Sequence, residues 1–217
     1  MGQAWIMPPR SVMYKTSIHD PIDYYYRPIT GPIYRARFPL SLKLLGPSTF
    51  GSMLEVGYGS GVFLPELSRH CQSLSAVDSH AHRAEVERML QNTSTSATLT
   101  DGDIMSLEYA DESFDSLVCL SVLEHLPPTE LHKAVGEMRR VSRPDGTLIL
   151  GFPVRNPVTD AFFALVGYNP RELHPSGHQD IIRALHAGMA SVEVNWWPKT
   201  VPVDLSLYVV CRCTPAS

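Results

Sequence analysis

Three glycines in five positions, Gly57, Gly59 and Gly61 of MLEVGYGSGVFLPEL (residues 53–67), stand between an apolar run and a helical pattern. Glycine lets a chain turn sharply and lets a ligand touch the main chain with no Cβ in the way. A helix start just behind it offers unpaired N–H groups. That combination suits a nucleotide-like ligand at the first strand-to-helix turn of a doubly wound sheet. The spacing is selective: a GxGxxG dinucleotide fingerprint laid on Gly57 and Gly59 needs its third glycine at 62, where Val62 stands. Asp78, about 20 residues on at the end of the next strand, is placed to accept hydrogen bonds from ribose hydroxyls, a need shared by dinucleotides and other nucleoside cofactors. His125, in VLEHLPP just beyond the fourth strand, stands where a general base belongs, and histidine ordinarily titrates near neutrality. The Glu124-His125 pair fits equally well a structural role closing the strand-to-helix loop. His174 and His178, with Ser176 between them, lie in the long connection after the fifth strand and read either as substrate contacts or as plain loop residues. Spacing reveals no further ligand to complete a metal site, so none is expected.

The elements that must position these residues alternate from Ser52 onward. Strand SMLEVG leads to a helix over about 62–70, SLSAVD to a helix over about 81–91, ATLTDGD and FDSLVCLS follow, and a helix over about 129–141 leads to GTLILGFP. This βαβ rhythm predicts a parallel, doubly wound sheet with helices on both faces. After a helix near 179–187, SVEVNWWPK and DLSLYVVCRC are too close for a helical crossover and should pair as an antiparallel hairpin. Trp196 and Trp197 then face opposite sides of the sheet, so at most one reaches a pocket. Asp115, at the start of FDSLV, reads as a residue that orders the strand start. The first fifty residues, rich in Pro, Tyr and Arg, alternate turn signals with a short helical pattern near 34–45 and look like an appended cap.

Bulk properties exclude several classes. A chain of 217 residues with 44% hydrophobic and 18% charged content can bury a core, which argues against disorder. A formal net charge of −4 without a long Lys/Arg run argues against a nucleic-acid partner and for a small molecule. No run of eighteen or more apolar residues occurs, so no membrane span is expected. The start MGQAWIMPPRSV lacks a signal-peptide core, and Ile6 stands where a myristoylation site carries a hydroxyl, so a cytoplasmic location is the expectation. Cys71, Cys119, Cys211 and Cys213 read as reduced and buried, the last two on one face of a strand. Monomer and homodimer both stay open.

Taken together, LEVGYGSG (54–61), AVDSH (76–80), DGDIMSLEYADESFDSLVCLSVLEHL (101–126) and RVSRPDGTLILGFP (140–153) resemble the class I S-adenosylmethionine (SAM) dependent methyltransferases, in particular the branch of short chains that act on small molecules. The resemblance covers roughly residues 52–213. It implies an α/β fold with a doubly wound, Rossmann-like, seven-stranded sheet, mostly parallel with an antiparallel C-terminal hairpin strand. It implies a SAM-binding domain over 51–217, with an acceptor-side insertion at 152–180 and a cap at 1–50. By the same resemblance Gly57, Gly59 and Gly61 lie beneath the methionine part of SAM, with Glu55 near its ammonium end. Asp78 holds the ribose, Ser79 borders the adenosine, Asp103 accepts from the adenine amino group and Ile104 packs on the ring. Leu120 and Ser121 offer backbone to the methionine end. Asp101 and Asp103 also fit a solvated turn. In similar enzymes a cap Tyr or Arg reaches the ligand, which makes Tyr25 and Tyr26 of the Tyr24-Tyr25-Tyr26 triplet candidates for substrate contact. The implied reaction moves a methyl group to O, N or C of a small acceptor and leaves S-adenosylhomocysteine. A SAM-binding protein without methyl transfer, and an NAD(P)-dependent oxidoreductase, are the alternatives.

Overall fold

Strands of parallel sheets are covered on both faces, and the central runs of this chain are buried that way. A computed structural model of the protein describes residues 5–17, 20–157, 159–161 and 174–216. Strand β1 (Phe50–Val56) ends in four consecutive buried residues, and β4 (Phe114–Leu120) is buried everywhere except Asp115. With β2 (Cys71–Asp78), β3 (Thr98–Asp101), β5 (Ser142–Pro153), β6 (Met189–Trp197) and β7 (Tyr208–Pro215) they form one seven-stranded sheet in the order β3-β2-β1-β4-β5-β7-β6. All pairings are parallel except the two made by β7, which runs against both β5 and β6. This is the mixed sheet expected from the sequence. The order reverses between β1 and β4, so their carboxyl ends bound a crevice.

Side chains of one strand alternate between two cores. In β4, Leu117 and Cys119 belong to one cluster, and Val118 and Leu120 to the other. In β7, Cys211 and Cys213 share the first cluster, as the CxC alternation predicts, while exposed Arg212 points away. The first cluster is covered by α6 (Leu131–Val141) and α7 (His178–Gly188). Helix α6 buries Leu131, Ala134, Val135, Met138 and Val141, a spacing that lines one helical face.

The opposite cluster is covered by α5 (Arg83–Asn92) and by described residues of the N-terminal segment, which include α1 (Ile22–Tyr25), α2 (Thr30–Arg35) and α3 (Arg37–Leu45). Phe38, Leu44 and Leu45 of α3 share a core with Ile149 and Val210 of β5 and β7. The expected cap is therefore continuous with the sheet, because α3 supplies a helix to one of its layers. The helix expected over 62–70 is shorter: α4 spans Leu64–Leu67. Around it the bonds mix three- and four-residue spacing, as in Glu66 N to Phe63 O and Ser68 N to Leu64 O, and Pro65 limits its first turn. Asp115 Oδ2 accepts from Ser52 N at 2.7 Å, pinning the start of β1 to β4 as its sequence position suggested. No helix among the described residues is long and apolar enough to cross a membrane.

Candidate active site

A cavity of about 750 Å³ opens at the carboxyl ends of β1, β2 and β4, under the cap helices. Its floor is the glycine turn, and the three glycines are there for three different reasons. All have positive φ: 78° at Gly57, 53° at Gly59 and 73° at Gly61. A Cβ on Gly57 would run into Val122 Cγ2, and one on Gly61 would come within 2.7 Å of Val86 Cγ1 and 2.8 Å of Met89 Cε. A Cβ on Gly59 would meet nothing within 4 Å. Gly59 is thus the one whose missing side chain leaves room for a ligand.

Asp78 fixes this turn from below. Its Oδ2 accepts the Gly59 N–H at 2.8 Å and its Oδ1 accepts the His80 N–H at 3.2 Å. His80 completes the clamp: Nε2 lies 2.8 Å from the Gly59 carbonyl, and the His82 N–H donates to Nδ1 at 3.0 Å. A carbonyl only accepts and an N–H only donates, so His80 is held as the neutral ring with its proton on Nε2. Each Asp78 oxygen keeps a further lone-pair direction for a diol.

At the other end of the crevice the cavity is lined with buried ionisable groups. Glu55 is 5% exposed and Glu124 is 2% exposed, and Oε2 of each has no hydrogen-bond partner. Burial, reinforced by Asp78 and opposed by Arg37, pushes the Glu55 carboxyl up to about 8. Glu124 is raised by burial and eased by His125 and Arg37. Between them Arg37 descends from α3: Nη1 donates to Ser121 Oγ at 2.8 Å, and the guanidinium lies 5.2 Å from the Tyr25 ring centroid and 5.0 Å from that of Phe38. Ser121, with φ 60°, also contacts Tyr208 OH at 2.8 Å. Arg37 Nε is buried without a partner. Unpartnered buried carboxylate and guanidinium atoms facing one cavity are complementary to a zwitterion, with the ammonium toward the glutamates and the carboxylate toward the arginine.

Most of the residues singled out in the sequence line this cavity: Glu55, Gly57, Gly59, Asp78, Ser79, Asp103, Ile104, Leu120, Ser121 and His125, together with Tyr25 and His174. Asp103 also closes a turn, its Oδ1 accepting the Met105 N–H at 2.9 Å, so the turn reading and the cavity reading coexist. Three expected residues stand elsewhere. Gly61 packs under α5, away from the cavity. Tyr26 points back to the N-terminal segment and donates to the Pro8 carbonyl at 2.6 Å. His178 is buried at the start of α7, where its Nε2 pairs with Asp204 at 2.8 Å and its Nδ1 faces the Arg155 N–H at 3.3 Å. That pairing ties two loops together and leaves no ring nitrogen for a substrate.

Sequence reasoning missed Arg37, His80 and Tyr208, and it did not place Glu124 and His125 beside His174. Only the HAH after AVDS could have signalled His80. His125 and His174 have ring centroids 5.1 Å apart, and one ligand atom from each lies within 4.8 Å of the others and of a Glu124 oxygen. The glutamate adjacent to His125 in sequence thus joins a histidine fifty residues away.

Comparison with known proteins agrees with this geometry. Residues 54–150 match a family model described as a methyltransferase domain. Nodulation protein S of Rhizobium tropici is 30% identical over 122 residues, covering 55% of this chain and 51% of that protein. The phosphatidylethanolamine N-methyltransferase of Cereibacter sphaeroides is 31% identical over 103 residues, covering 46% of this chain and 49% of that one. The match therefore spans about half the length of these relatives. The crystal structure of the N-methyltransferase NodS from Bradyrhizobium japonicum WM9, in complex with S-adenosyl-L-homocysteine, has the same fold at a TM-score of 0.67 and 23% identity, over 94% of this chain and 95% of that one. The fold is shared with that solved methyltransferase, and residues 54–150 match a methyltransferase domain.

SAM is the cofactor that the sequence resemblance implies, and the residues of the cavity fit it. Asp78 would hold the ribose, Asp103 and Ile104 the adenine, the Gly59 main chain the linking portion, and Glu55 and Arg37 the ammonium and carboxylate of the amino-acid end.

Proposed function

We propose that this protein transfers the methyl group of SAM to a nitrogen or oxygen of a small-molecule acceptor. The observation that carries the reading is the pairing of a ribose-ready Asp78 with unpartnered Glu55 and Arg37 atoms at opposite ends of one cavity. Nitrogen is favoured over oxygen or carbon because two of the similar proteins are named as N-methyltransferases. Bound SAM supplies a methyl group on a sulfonium that is already activated for displacement.

The chain's own part is alignment, exclusion of water and proton uptake. Alignment of two reactants can contribute on the order of 7–11 kcal/mol. The rings of Tyr25, Phe38 and Phe63 and the side chain of Ile104 close an apolar wall around the crevice. His125, exposed toward the cavity, takes the acceptor's proton on an imidazole nitrogen, a service worth about 10²–10⁴ in rate. Acceptor choice falls to residues 1–50 and 152–180, of which Thr16, Tyr24, Tyr34, Pro153, Thr159 and His174 line the cavity.

Calorimetric titration with SAM, S-adenosylhomocysteine, NAD and NADP is the test. Micromolar binding of the first pair alone, followed by S-adenosylhomocysteine formation with a panel of small amines and alcohols, is expected. Binding of a nicotinamide in place of SAM would overturn the reading, and SAM binding without product from any acceptor would point to the non-transferring alternative.

A further inference from the structure

We propose that Glu124, His125 and His174 form a divalent-metal site on the acceptor side of the cavity, with open positions that take a hydroxyl oxygen of the acceptor. The second half of this proposal rests on the methyltransferase reading; the first half does not.

Two imidazoles and one carboxylate are a donor set that suits zinc, manganese, iron or cobalt and leaves coordination positions for a substrate. The three donor atoms lie within 4.8 Å of one another. Donors bound to one such ion at about 2.0–2.2 Å sit roughly 3–3.5 Å apart, so closing the site takes small side-chain rotations. The backbone that carries the donors is already assembled. Glu124 and His125 sit in the 3-10 turn Leu123–His125. His174 is brought beside them by Ser176, whose N–H donates to the Glu124 carbonyl at 3.4 Å and whose Oγ donates to the Leu126 carbonyl at 2.5 Å.

An independent observation points to a cation. Glu124 Oε2 is buried, lacks a hydrogen-bond partner and belongs to a residue that lines the cavity. A buried carboxylate oxygen left this way is costly, and a bound cation removes the cost. Behind the trio, Arg155 and Asp160 line a small adjoining cavity with one charge of each sign, so the surroundings are close to neutral. The mouth side is open: all three residues also line the main cavity, where an acceptor would approach.

The site refines the role of His125. With metal bound, its lone pair is a ligand, and a hydroxyl acceptor is activated instead by coordination, which lowers its pKa so that its proton leaves to solvent through the open mouth while the oxygen keeps a lone pair for the methyl group. Without metal, His125 remains the base of the preceding subsection.

Tag-free, chelator-treated protein titrated with Co²⁺, followed by its visible d–d absorption and by calorimetry, tests the site without SAM. Uptake of one ion per chain is expected, with affinity falling about tenfold or more in His174→Asn and in Glu124→Gln, while melting temperature confirms that each variant is folded. No uptake by the wild-type protein, or uptake that both variants retain, overturns the site. A parallel assay of S-adenosylhomocysteine formation with and without added Zn²⁺ or Mn²⁺ tests the acceptor half. Metal uptake with turnover indifferent to it overturns that half alone. Failure to bind SAM overturns the methyltransferase reading and leaves the metal result standing.

Discussion

The two ends of the cavity are built in opposite ways. The nucleoside end is made of main chain and near neighbours: Gly59, Asp78 and His80 lie within 21 positions of one another and hold one another by hydrogen bonds to backbone. The other end is made of side chains from distant segments, with Arg37 reaching Ser121 across 84 positions and Ser121 reaching Tyr208 across 87. The first kind of site is preorganised by local geometry. The second exists only when several elements have docked, so its polar atoms depend on the packing of the cap.

The sharpest way to test that contrast is one substitution at two neighbouring positions. Gly59→Val should abolish measurable SAM binding in calorimetry, since the side chain fills the approach left open there. The fold should survive with a modest drop in melting temperature, the left-handed backbone costing roughly 1–2 kcal/mol. Gly61→Val should do the reverse and unfold the protein, because its side chain meets Val86 and Met89. If Gly61→Val is stable and Gly59→Val binds SAM normally, the division of labour among the glycines is wrong.

Next in size is Arg37→Met, which keeps an unbranched stem between the aromatic rings and removes the charge. SAM affinity should fall about 10- to 100-fold, the effect of losing a hydrogen bond to a charged group, with S-adenosylhomocysteine hit comparably. Unchanged affinity would mean that the cap end does not grip the cofactor.

A smaller effect tests the buried charge. Because the Glu55 carboxyl is raised from 4.5 to about 8, the folded state holds a proton that the unfolded chain releases earlier. Its stabilising contribution is complete below pH 4.5 and is lost as pH rises to about 8. Ligand-free wild type should therefore lose melting temperature relative to Glu55→Gln across that window, and SAM should restore it only in the wild type. Parallel curves for the two proteins would remove Glu55 from the site.

Smallest of all is His178→Asn. Loss of the pairing with largely exposed Asp204 should lower the melting temperature only slightly and leave SAM affinity and KM for the acceptor unchanged. A large rise in KM would return His178 to the acceptor pocket.

The same contrast explains what could be read from the sequence. The alternation of strands and helices, the reversed terminal strand and the glycine turn with Asp78 all follow from residues close in sequence, whose spacing carries the geometry. The length of α4 did not follow, because the mixed hydrogen bonds around Pro65 and the turn at Gly61 override an apolar helical pattern. Arg37 was hidden because an arginine in an amphipathic cap helix looks solvated until the helix is seen to lie across the sheet. His178 was misplaced because its spacing from His174 says nothing about Asp204, which reaches it from another loop. Gly61 was assigned to the ligand with its two neighbours because the motif records three glycines without recording what each one faces.

The last strand in sequence, β7, is inserted between two strands that precede it, β5 and β6. As a growing chain lengthens, β6 therefore has no sheet to join until β7 arrives. Its first residue, Tyr208, delivers the hydroxyl that meets Ser121 beneath Arg37. The amino-acid end of the pocket thus draws on the last strand of the sheet, whereas the nucleoside end is held by the turn after β1 and by the end of β2.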